Sequence, residues 1–185
     1  PADVEQALYA DRSIVKQLAM RRTLFAFPRE LLGAALGSAS ARVADAEHAR
    51  LVKVVERHQV ATDGTAWVER ASAAVLERLA DGSALSAQQL REELPELAGR
   101  TTVGPDAKKW EVAYPLGPRV LTLLGAQGRL VRATNAGHWR TSRPLWTRTE
   151  HWLGELPAHA EPRAGYASLV EGWLRSFGPG TTDDL

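Results

Sequence analysis

Cysteine is absent from the 185 residues. That rules out disulfides, thiolate metal sites and a cysteine nucleophile, and makes a reducing cytoplasm the simplest expected setting. No apolar run approaches the roughly 18 residues of a membrane span, and no signal peptide is visible, so no membrane partner is expected. The histidines (His48, His58, His138, His151 and His159) show no HExxH or comparable spacing, so no metal is expected. GxSxG, a phosphate loop and GxGxxG are missing too, and no cofactor is expected. Methionine occurs once, at Met20, between Pro1 and Leu185. Those ends suit a piece of a longer protein, truncated on both sides.

Acid is scarce where base is not. Between Val112 and Thr149 there is no aspartate or glutamate, yet the interval holds Arg119, Arg129, Arg132, His138, Arg140, Arg143 and Arg148. The net charge is only +1, so any case for an anionic partner rests on this segregation of sign. Arginine abundance alone counts for little, because 19 Arg against 4 Lys in an alanine-rich chain is what a GC-rich genome produces. Residues 135–152, NAGHWRTSRPLWTRTEHW, also carry Trp139, Trp146 and Trp152. On an alternating ribbon the tryptophans would anchor one face and the arginines would use the other.

Along the chain, a short helical pattern covers Pro1 to Tyr9, and Ser13 can cap a second helix with Ile14, Val15 and Leu18 inward. Thr23 to Phe27 reads as a strand closed by Pro28, which also suits the first turn of a helix carrying Leu31, Leu32 and Ala35. A longer helix is expected from Ala41 to His58, burying Val43, Leu51, Val54, Val55 and His58. Arg42, Asp45, Glu47, Arg50 and Glu56 would form its solvated face.

A new unit opens near Asp63-Gly64-Thr65, with Val68, Ala71, Val75 and Leu79 at helical spacing and Asp81-Gly82-Ser83 as the stop. Ser86-Ala87-Gln88-Gln89 has the form of a capping box, ahead of Leu90 and Leu94. Lys108 to Tyr114 could be a strand. Gly117-Pro118 begins a third helix, with Val120, Leu123 and Leu124 inward and Arg119, Thr122 and Ala126 outward, and Gly128 ends it. Leu130 to Thr134, a loop at Asn135-Ala136-Gly137, and His138 to Thr141 then read as a hairpin.

Three helices followed by a hairpin is the order of a winged helix, whose third helix and wing are offered to DNA. The expected fold is mainly α with small β-hairpins: winged helix-turn-helix units in tandem. Residues 1–60 would end a first unit with a strand at 23–27, and 61–160 would be complete, with the wing at 130–141. Residues 161–185 would start another. In support, residues 73–90 can be laid on 168–185, helix for helix and cap for cap, with Thr181 or Thr182 in the place of Ser86 and Leu185 in that of Leu90. Arg119, Thr122, Arg129, Arg132, His138, Arg140, Arg143 and Arg148 are the candidate contacts to double-stranded DNA.

Arg21-Arg22-Thr23-Leu24-Phe25 with Pro28, Gly128-Arg129-Leu130-Val131-Arg132 and Gly137-His138-Trp139-Arg140 resemble a bacterial winged-helix family. That family includes the alkylpurine and crosslink-unhooking DNA glycosylases. The resemblance implies tandem winged helices gripping DNA and, for a complete protein, N-glycosidic bond hydrolysis with water held by a Gln-x-Gln or Gln-x-Asp motif. That motif lies upstream of the Arg-x-Thr-Leu strand in the family. Neither form occurs in this chain, and Phe25 stands where the family often has histidine. No catalytic role is therefore assigned to a residue here. Two alternatives stay open: a non-catalytic DNA-binding or transcription-regulatory protein of the same architecture, and winged helices that contact only proteins.

Overall fold

The computed structural model describes residues 2–103, 112–138 and 140–184. Pro1, the expected strand residues 108–111, Trp139 and Leu185 lie outside the described residues. What is described is mostly helical, with three small antiparallel sheets.

Helix α1 (Ala2–Glu5) widens into a π-type turn, Gln6–Ala10. The next segment corrects the reading above: Ile14 to Leu18 is a strand, β1 (Ile14–Leu18), not a helix. It pairs with β2 (Leu24–Pro28), the register running from Ile14 opposite Pro28 to Leu18 opposite Leu24. Val15 and Gln17 face inward while Ile14, Lys16 and Leu18 are half-buried, a period of two. Ser13 does not cap: its carbonyl accepts the Arg29 amide at 2.9 Å.

Helix α2 (Arg29–Ala35) follows Pro28 as expected, and a π-type turn, Leu36–Ser40, joins it to α3 (Ala41–Arg57). Gly37 lets another segment pass at backbone distance, since a Cβ there would lie 2.0 Å from the Ala160 carbonyl oxygen. On α3, Val43, Leu51 and Val55 are buried, but so is Glu47, which was expected in solvent. Its carboxylate is held by two arginines, which offset the cost of burying the charge.

Asp63 caps α4 (Gly64–Arg78) by accepting the Ala66 amide at 2.9 Å. Strand β3 (Leu85–Ser86) leads into α5 (Ala87–Glu93), whose capping box is complete: Gln89 N–H donates to Ser86 Oγ, and Ser86 N–H to Gln89 Oε1. A ribbon of β4 (Arg100–Val103) and β5 (Val112–Pro115) precedes α6 (Gly117–Ala126). Val120, Leu123 and Leu124 are buried as the spacing predicts, but Ala126 is buried as well and does not join the outer row of Arg119 and Thr122. Gly128, at φ 71°, stops the helix. One core joins α3, α4, α5 and α6 through Leu51, Val55, Val68, Val75, Leu90, Leu121 and Trp146. Each such side chain contributes about 1.5–3 kcal/mol on burial.

The hairpin after α6 departs from expectation. Strand β6 (Leu130–Asn135) pairs with β7 (Pro144–Arg148), not with His138 to Thr141, and β7 also pairs with β3, giving the order β3-β7-β6. Asn135 is the cause. Its amide donates to the carbonyls of His138 and Thr141 while its Oδ1 accepts the Arg143 amide, so its side chain occupies the groups that a tight return strand would use. Helices α7 (Thr149–Leu153) and α8 (Pro162–Phe177) follow, and a 3-10 turn, Thr182–Asp184, comes last among the described residues.

Candidate nucleic-acid interface

Four hollows share lining residues in series. The first is lined by Tyr9, Lys16, Leu24, Arg132, Arg140 and Thr141 among others. Lys16, Leu24 and Arg132 also line the second, with Thr122 and Trp146. Thr122 carries on into the third, shared by Arg22, Glu47, Arg50 and Arg119. Arg22 then opens the fourth, of about 490 Å³, with Met20, Arg21, Arg42 and Tyr166. Neighbouring hollows adjoin through these shared residues, and together they are called the groove. Lys16, Arg21, Arg22, Arg42, Arg50, Arg119, Arg132 and Arg140 line it, and Glu47 is the one acid among these described lining residues.

Local chemistry fixes these side chains. The Arg132 guanidinium lies over the Trp146 ring, 5.0 Å from its centroid. Burial pushes its pKa below the usual guanidinium value, and among the described residues no carboxylate pairs with it. A half-buried cation resting on an aromatic face and facing a groove is poised for an anion from outside. Glu47 Oε1 accepts from Arg22 Nε and from Arg50 Nη1, both at 2.6 Å. Lys16 Nζ donates to the Tyr9 hydroxyl at 2.9 Å. Thr122 Oγ1 donates to the Pro118 carbonyl at 2.8 Å, one turn back on α6.

The two walls are tied together. Buried Gln17 on β1 donates from Nε2 to the Gly125 carbonyl at 3.0 Å and the Ala126 carbonyl at 3.4 Å, satisfying the C-terminal end of α6.

Of the candidate contacts, Arg119, Thr122, Arg132 and Arg140 line the groove. Arg129 lines a separate hollow beside His48, Glu69 and Gln127. Arg148 is half-buried and paired with Glu150 at 2.5 Å. His138 and Arg143 are exposed between β6 and β7, outside the groove lining; His138 Nδ1 accepts the Arg140 amide at 3.2 Å. Trp146 is buried, and Trp152 packs on the core under Arg12, whose guanidinium lies 4.1 Å from its ring.

The sequence reading did not assign Lys16, Arg21, Arg22, Arg42 or Arg50 to this surface. The Arg21-Arg22 doublet was a visible signal. Lys16 was hidden by reading β1 as a helix. Among the described residues no group of three or more acids and histidines is placed to hold a metal ion, and no helix is long and apolar enough to cross a membrane.

The family model described as DNA glycosylase AlkZ-like matches residues 1–185. Among solved structures, the DNA glycosylase AlkZ of Streptomyces sahachiroi is similar in fold, with a TM-score of 0.59 at 22% identity, over 96% of this chain and 43% of that one. This chain thus spans less than half the length of that protein. No curated protein matches it.

Proposed function

The chain belongs to the AlkZ-like DNA glycosylase family, and from that premise we propose that it is the duplex-DNA-binding part of a glycosylase acting on alkylated or crosslinked bases. Its groove holds the phosphate backbone through Arg132, Arg119, Arg140, Arg22 and their neighbours. Arg132 carries the argument: a desolvated cation without a carboxylate partner, aimed into a basic groove, is completed by a phosphate. In the complete protein, a carboxamide or carboxylate would orient the water that adds to the oxocarbenium-like sugar as the C–N bond breaks and the base departs. No Gln-x-Gln or Gln-x-Asp is present in this chain, so no residue here is assigned that role.

We read residues 61–160 as a winged helix, with α6 as the helix offered to DNA and β6–β7 as the wing. The sheet order β3-β7-β6 around α4, α5 and α6 supports this reading. A tandem arrangement is supported by matching caps. Thr181 N–H and Oγ1 both donate to Asp184 Oδ2, as Ser86 N–H and Oγ both donate to Gln89 Oε1. A reducing cytoplasm suits the cysteine-free chain.

Fluorescence anisotropy with duplex DNA tests the binding. About five phosphate contacts give a log–log salt slope of roughly −4 to −5, whereas absent or salt-insensitive binding rejects the proposal. Release of N-alkylated purine by the complete protein tests the glycosylase assignment. A non-catalytic DNA-binding protein is the second reading, favoured by Phe25: it packs against Phe27, ring centroids 5.8 Å apart, where the family often has histidine. Binding without base release over several lesions selects it.

A further inference from the structure

The β1–β2 hairpin turns through Met20, Arg21 and Arg22, and both arginines are left-handed, with φ of 55° and 58°. The turn is closed by Thr23 N–H donating to the Met20 carbonyl and Ala19 N–H to the Thr23 carbonyl, each at 3.0 Å. Right-twisted strands favour turns with positive φ at both central positions, and asparagine with glycine is the usual filling. Two arginines carry a conformational penalty that glycine avoids. Such strain persists where the surroundings over-determine it, and it gathers at sites of function.

The surroundings do hold it. Arg22 is pinned to buried Glu47 on α3, so the tip is fixed against the helical core. At that apex Met20 is 40% exposed, and Leu24, just beyond, is 39% exposed. A single exposed apolar side chain means little on its own. Here Met20 sits on a strained, tethered tip beside two exposed arginines and in the wall of the basic groove. Leu24 lies one step inside, against Lys16 and Arg132.

We infer that this tip is a wedge: Met20 enters the base stack of bound duplex DNA while Arg21 and Arg22 hold phosphates beside the opened step. The inference rests on the DNA-binding reading above. Apolar side chains that unstack a base step, flanked by basic residues, recover the cost through the added contacts that the kinked duplex permits. Methionine suits the task because its flexible, polarizable chain adapts to whichever bases it meets.

The test places 2-aminopurine at successive positions of a duplex and titrates it with the protein, following anisotropy and fluorescence together. Wild type is expected to raise the fluorescence several-fold at one step as binding saturates. At saturating protein Met20→Ala loses the rise, and Met20→Leu restores it; circular dichroism confirms that both variants fold. Saturated binding with the reporter still quenched at every position overturns the wedge and leaves the DNA-binding reading standing, as does a rise that persists in Met20→Ala. Absence of binding by wild type overturns both.

Discussion

Arg22 on the hairpin turn donates from Nε to Glu47 on α3 at 2.6 Å, and the same carboxylate oxygen takes Arg50 at 2.6 Å. One buried acid thus holds two cations in place at the middle of a basic groove. Glu47→Gln keeps the shape and removes the charge. Stability should fall by about 1–2 kcal/mol, the value of hydrogen bonds to a charged group discounted for half-exposed arginines. DNA affinity at low salt should rise, because a negative charge has left the phosphate path. Urea unfolding and anisotropy measure the two, and a parallel fall in both would assign Glu47 a purely supporting role.

Arg132 and Trp146 should separate binding from folding. Arg132→Ala removes an unpaired groove cation, so affinity drops and the salt slope shrinks by about one contact. Trp146→Ala empties a core position in contact distance of Gly125, where an added Cβ would lie 3.1 Å from the ring. Its cost is about 3–5 kcal/mol of stability, read as a lower urea midpoint.

Position in the groove, not charge alone, decides which arginines matter. Arg119→Ala and Arg140→Ala should weaken binding and flatten its salt dependence. Arg129→Ala and Arg148→Ala should leave the slope near wild type, since one lines another hollow and the other is paired with Glu150. Four equal losses would mean that the contact surface is wider than the groove.

Arg21→Gly relieves one left-handed arginine. It should stabilise the protein by about 1 kcal/mol, which raises the melting temperature by about 2–4 °C for a chain of this size, while DNA affinity declines. Calorimetry paired with anisotropy reads both; a lower melting temperature would place the origin of the turn's shape elsewhere.

What the sequence disclosed was local. The helix at Ala41–Arg57, the Ser86–Gln89 box and the stop at Gly128 follow from spacing and cap chemistry carried by a few neighbouring residues. Strand β1 escaped because five residues with Ile14, Val15 and Leu18 fit a helical stripe as well as a strand, and only pairing with β2 decides between them. The return strand was misplaced because Asn135-Ala136-Gly137 suggests a tight turn, whereas the Asn135 side chain occupies the groups that such a strand would use. The groove was half legible. An acid-free interval marked Arg119, Arg132 and Arg140, but their meeting with Lys16, Arg22 and Arg50 is a long-range event that no spacing rule encodes.

Gln17 has a mechanical consequence. Parting β1 from α6 would take from the Ala126 carbonyl the amide it accepts, whereas that of Gly125 keeps the Gly128 amide. The hairpin that carries Arg22 and the helix that carries Arg119 are therefore joined by this amide, while an ion pair ties Arg22 to Glu47 on α3. On the proposed DNA-binding reading, the protein side of the fit is braced at both places, and bending falls on the nucleic acid.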